Sequence, residues 1–150
     1  MRFSTILATL WFLPAHHALG QTAIRVELMD TAVFASPRLT ESSGIVASFR
    51  APGIFWTHND SGDGPFLYAT DSAGRDLGAV RIAGARAVDW EDVAAGPCFV
   101  ATGRCFYVGD IGDNGAHRPY VIIYRVPEPE LPHGSSDTLG STAMLDSIII

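Results

Sequence analysis

A short acidic loop occurs twice in this chain at one spacing. Asp60-Ser61-Gly62-Asp63-Gly64 returns as Asp110-Ile111-Gly112-Asp113-Asn114, 50 residues on, and the same step carries Glu41 onto Glu91. Each copy follows an aromatic run of strand character, Ile54-Phe55-Trp56-Thr57-His58 before the first and Cys105-Phe106-Tyr107-Val108 before the second. A period near 50 residues that holds several short strands is the mark of propeller blades. The repeat constrains the fold more than any bulk property does, because each unit must bury its faces against its neighbours.

Strand signals within the period are short and regularly punctuated. In the first unit they fall at Ser43–Ser48, Gly53–His58, Phe66–Thr70 and Leu77–Ile82, separated by turns at Pro52-Gly53, Gly62-Asp63-Gly64-Pro65 and Ser72-Ala73-Gly74. In the second they fall at Trp90–Ala95, Cys98–Ala101, Cys105–Gly109 and Tyr120–Val126, followed by the connector Pro127-Glu128-Pro129-Glu130-Leu131-Pro132. Ile24–Leu28 alternates as an edge strand would, and no long amphipathic helix is visible. The expectation is an all-β chain carrying the N-terminal blades of a β-propeller. Two four-stranded units span about 38–86 and 87–132 within a domain of 21–150, and a third opens at about 141. A propeller closes with four or more blades, and Ile148-Ile149-Ile150 leaves an apolar strand edge. The chain therefore reads as a fragment of a longer protein. A β-sandwich is the alternative.

Residues 1–20 read as a secretory signal peptide: Arg2, the apolar run Ile6–Leu13, the break at Pro14, and small residues at Ala18-Leu19-Gly20 before Gln21. No later segment is long and apolar enough to span a bilayer as a helix. The protein is expected to be secreted or periplasmic. An oxidising compartment favours a disulfide between Cys98 and Cys105 across a tight hairpin tip near Thr102-Gly103. The net charge is −6, and all ten basic residues are Arg, scattered along the chain. That distribution argues against nucleic acid and anionic membranes, which require a basic patch.

The repeated loops offer the chemistry of calcium. Asp60, Asp63, Asp110, Asp113 and Asn114 set hard oxygen donors on glycine-rich turns, and calcium takes six to eight such oxygens. Asn59–Gly64 imitates the first half of an EF-hand loop, but the twelfth position is Thr70 rather than Glu, so it is not one. The alternative role for these side chains is capping tight turns through Asx hydrogen bonds. A second acidic knot, Asp89-Trp90-Glu91-Asp92, places three carboxylates in four residues, with Arg81, Arg86 and Arg118 as candidate partners. Strand alternation predicts Trp90 and Asp92 on one face, Asp89 and Glu91 on the other. Asp89, Glu91, Asp92 and Arg118 are the candidate ligand-binding residues. His58 beside Asp60 suggests a general base, yet no Gly-x-Ser-x-Gly elbow accompanies Ser42 or Ser43, so no catalytic residue is assigned. Asn59-Asp60-Ser61 also matches the glycosylation sequon.

Four segments together, Glu41–Ile45, Trp56–Gly62, Asp89–Asp92 and Tyr107–Asn114, resemble a group of exported bacterial β-propeller proteins, over about residues 38 to 130. That group is of largely unknown function and is loosely related to phytase-like and NHL/WD40-like propellers. With no nucleophile motif beside them, the repeated acidic loops make the expectation an exported scaffold that binds a small ligand or a protein partner, with calcium structuring the loops. The clustered carboxylates, the nearby Arg residues and the phytase-like side of the resemblance imply the alternative, a calcium-dependent phosphoesterase. β-Propeller phytases use Lys in their phosphate pocket, and this chain has none.

Overall fold

The computed structural model describes residues 27, 31–99, 102–132 and 139–150. The signal-peptide segment 1–20 and all of the expected strand at Ile24–Leu28 except Glu27 lie outside the described residues. Among the described residues there is no helix, and nine strands form two sheets, neither closed on itself.

The first sheet is an antiparallel meander of β1 (Ser42–Ala47), β2 (Ile54–Asn59), β3 (Phe66–Asp71) and β4 (Asp76–Ala83). The second runs through β5 (Trp90–Pro97), β6 (Arg104–Asp110) and β7 (Ile122–Pro127). Two late strands complete them. β8 (Leu139–Ala143) adds parallel to β4 on the first sheet, and β9 (Asp146–Ile149) adds antiparallel to β7 on the second. The segment expected to open a third unit at about 141 is thus shared between the two sheets.

The expected strand at Cys98–Ala101 is corrected at Cys98 and Phe99, its other two residues lying outside the described ones. β5 runs unbroken through Pro97, and Cys98 and Phe99 already belong to the turn, where the Cys98 amide donates to the Gly103 carbonyl at 3.0 Å. Gly96 pairs with Cys105 and Pro97 with Arg104, which uses up the residues that a further strand would need. The fourth strand of the second sheet is β9. The disulfide Cys98–Cys105 closes this hairpin, with its Cα atoms 5.1 Å apart.

The core lies between the sheets, because alternation sends one face of each strand inward. Val46, Trp56, Leu67, Ala69 and Val80 come from the first sheet, and Val93, Phe106, Val108, Tyr124 and Val126 from the second. Trp56 and Phe106, both wholly buried, meet with ring centroids 6.5 Å apart. Each such side chain contributes about 1.5–3 kcal/mol of burial. Glu128 pins the Pro-rich connector to the first sheet by accepting from the Phe49 amide (3.0 Å), the Ser48 hydroxyl (2.5 Å) and the Trp56 indole (3.4 Å).

The two leading hairpins share one register. Ser42 pairs with Asn59, and after a bulge Gly44 pairs with His58 and Val46 with Trp56. Likewise Trp90 pairs with Asp110, and after a bulge Asp92 pairs with Gly109 and Ala94 with Tyr107. The structural counterpart of Asp110 is therefore Asn59, 51 residues before it, and that of Ser42 is Trp90, 48 residues after it. The uniform step of 50 does not describe the fold, because the second hairpin is longer by three residues.

Candidate functional site

Asn59 and Asp110 end equivalent strands and do the same work. The Asn59 Oδ1 accepts the amides of Thr40 (2.9 Å) and Glu41 (3.0 Å). The Asp110 carboxylate accepts those of Val88 (3.4 Å) and Asp89 (3.0 Å). Each latch folds the incoming connector against the end of its own hairpin. A backbone bond then seals each one, Asp60 amide to Glu41 carbonyl at 2.9 Å and Gly112 amide to Asp89 carbonyl at 3.0 Å. Asp110 is fully buried and bonds the Arg118 guanidinium at 2.8 Å; Arg118 also donates to the Gly112 carbonyl at 2.8 Å.

The latches bring carboxylates from both units together. Asp60, Asp89 and Glu91 each place an oxygen within 4.8 Å of the others. Asp60 follows β2, and Ser61 bridges to Asp89. Glu91 is the bulged residue of β5, where a bulge redirects a side chain. The bulge also corrects the alternation expected for this knot. Trp90 is wholly buried in the core while Asp92 is exposed, its Oδ1 accepting the Val93 amide at 2.8 Å. Asp89 and Glu91 do share a side. Gly112 makes room for them, since a Cβ there would lie 2.3 Å from Asp89 Oδ2 and 2.4 Å from Glu91 Oε1.

Burial, then the neighbouring Asp60 carboxyl within hydrogen-bonding reach, push Asp89 above the usual carboxylate range; Arg118 opposes this and Asp110 adds to it. Asp60 Oδ1 is buried and has no hydrogen-bond partner. A hard divalent cation is the natural complement of such a set, three carboxylates with one orphaned oxygen.

The remaining candidates are engaged elsewhere. Asp63 accepts from the Gly64 amide (2.7 Å), Asn59 Nδ2 (2.8 Å) and the Tyr68 hydroxyl (2.7 Å). Asp113 accepts the His117 (2.9 Å) and Arg118 (3.0 Å) amides, capping its own turn. Asn114 is exposed beside it. Asn59 of the sequon is buried, with its Nδ2 also given to the Arg38 carbonyl. His58 is fully buried, edge-on to Trp90 at 5.6 Å, with Nδ1 against the Asn59 carbonyl and Nε2 unpartnered. Burial holds its pKa below the ordinary value, although Asp92 and Asp60 pull it upward. Ser42 bonds the Thr57 hydroxyl and Ser43 the Glu91 carbonyl, so neither addresses His58. Asn59 and Gly112 are the participants whose roles the sequence did not show. The signal for Asn59 was a polar residue ending its aromatic strand one step before the acidic loop, where the second unit has Asp110 itself.

No family model, curated protein or solved structure matches this chain.

Proposed function

We propose that this chain is an exported scaffold of β-propeller type, its two described sheets being successive blades, with a calcium ion stapling the blades at Asp60, Asp89 and Glu91. The loop face around the staple binds a small ligand or a protein partner. The observation that carries the reading is the convergence of those three carboxylates from two repeat units, with Asp60 Oδ1 buried and unpartnered. The shared hairpin register supports the blade reading, since it makes both units present the same face in the same direction. The calcium staple moves from the two acidic loops expected from sequence to the seam between them.

The geometry supports a scaffold over a phosphoesterase. Arg118 is the basic side chain nearest the cluster in charge terms, and its Nη1 is spent on Asp110 and Gly112. A phosphate drawing on that nitrogen would have to displace both. The test is thermal unfolding of the oxidised protein in EDTA and in millimolar calcium, for wild type and Asp89→Asn. Calcium at about 100 times its dissociation constant raises stability by about 2.7 kcal/mol, so wild type melts several degrees higher with calcium while Asp89→Asn does not respond. Superimposable wild-type curves would overturn the staple.

A further inference from the structure

Arg118 holds more hydrogen-bonding capacity than its partners use. A guanidinium carries five N–H donors. Nη1 donates to Asp110 and to the Gly112 carbonyl, while Nε and Nη2 meet no acceptor among the described residues. The side chain is only 15% exposed, so these donors have little bulk water to turn to. Arg118 lines a cavity of about 160 Å³ beside β7, together with Arg86, Asp110 and Tyr124. Residue 86 is held on both sides: its amide donates to the Tyr124 hydroxyl at 3.2 Å, and its carbonyl accepts the Trp90 indole at 2.9 Å. The Arg86 side chain is exposed and joins no ion pair among the described residues. Tyr124 is buried, and its hydroxyl, having accepted the Arg86 amide, keeps a proton with no acceptor among the described residues. The rest of the wall is apolar. Pro119 and Ile122 contribute to it, with Val88 and Tyr120, which stand 54% and 49% exposed.

We infer that this cavity is a binding site for a small organic carboxylate with a flat apolar body. The Nε–Nη2 edge of Arg118 takes the carboxylate through two parallel charge-assisted hydrogen bonds, a geometry for which the guanidinium is preorganised. Asp110 leaves that edge free, so the ligand binds without breaking the latch. The Tyr124 hydroxyl adds a neutral donor, and Arg86 adds a second positive charge. Tyr120 and Val88 cover the apolar body. The cavity is smaller than the roughly 300 Å³ at which pockets for drug-sized ligands begin, which restricts the ligand to a fragment-sized acid. Inorganic phosphate can use the same donors but leaves the apolar wall wet. The inference names the ligand class for the small-ligand part of the function proposed above and rests on that part, not on calcium.

The test is titration of the oxidised protein with benzoate, with benzyl alcohol and inorganic phosphate as comparisons, in millimolar calcium and again in EDTA. Calorimetry and amide NMR shifts follow it. Benzoate is expected to saturate in at least one buffer with a dissociation constant of about 1 mM or tighter, shifting the amides of Val88, Arg118 and Tyr120. The alcohol lacks the charge and phosphate lacks the apolar body, so each is expected to bind about tenfold more weakly. Replacing Arg118 disturbs the Asp110 latch, so Arg86→Gln and Tyr120→Ala carry the mutational arm, their folding checked by melting in EDTA. Each is expected to weaken benzoate about fivefold. No saturable benzoate binding in either buffer, phosphate binding as tight as benzoate, or variants with unchanged affinity would each overturn the site. Calcium-dependent melting without benzoate binding removes this site and leaves the staple; benzoate binding with superimposable melting curves does the reverse.

Discussion

Asp110 and Asn59 show how one position solves a folding problem twice. Each accepts two successive amides of an incoming connector, and those amides would otherwise be unpaired at a strand end. Asp110 differs by its charge, which Arg118 balances. This predicts an ordered series. Asp110→Asn keeps an acceptor, as Asn59 does, and loses the charge that balances Arg118 from a fully buried position, a cost of about 2 kcal/mol. Asp110→Ala orphans the amides and strands the Arg118 guanidinium, a cost of about 3 kcal/mol or more. Urea unfolding of both variants checks the order, and equal losses would show that the ion pair, not the latch, is what matters. The residue type at this position was readable from the sequence. Its partner was not, because two equivalent residues separated by unequal hairpins fall out of step with the visible motif.

At the scale of elements, β2, β3, β4, β6 and β7 were legible because aromatic and β-branched runs bounded by Gly, Pro and Asp leave little alternative. The two bulges were not, since a bulge adds a residue without changing local composition. Nor was the placement of β8, whose parallel pairing with β4 depends on a contact some 60 residues away in sequence. Cys98–Cys105 was legible for the opposite reason: a sequence separation of 7 makes the pairing nearly local. Closing that loop stabilises by about 2.5 kcal/mol in the chain-entropy model. Replacing both cysteines with Ala should lower the unfolding free energy by about that amount, and Ala avoids burying a hydroxyl at the fully buried Cys105 site. The loss should concentrate in the β5–β6 hairpin, seen as faster amide exchange at Gly96 and Arg104 than in β2 or β3. Uniform acceleration across both sheets would mean that the bridge holds the whole fold rather than its own hairpin.

Across the whole molecule, the seam between the sheets is where stability and the proposed function meet. β1 and β5 approach so closely that a Cβ on Gly44 would lie 2.7 Å from the Val93 amide nitrogen and 2.7 Å from His58 Nε2. His58 is thus walled in by Gly44, Trp90 and the β5 backbone, with Nε2 unpartnered. Its folded pKa is lowered by burial, so below the ordinary value of 6.5 the unfolded chain binds the proton first. Stability contributed by neutral His58 is complete above that value and is lost as pH falls from it toward the folded pKa. Asp89 runs the other way: its raised pKa makes ionisation costly in the folded state, so its contribution is fullest below the ordinary carboxylate value and fades as pH rises through the folded one. In EDTA the two opposing contributions are both present, and the part carried by His58 should decline on acidification from pH 7 to 5. His58→Phe, which keeps an aromatic ring against Trp90 and removes the titration, should flatten that decline. If the variant loses stability with the same slope, protonation elsewhere drives acid unfolding and the seam is not the molecule's pH-sensitive joint.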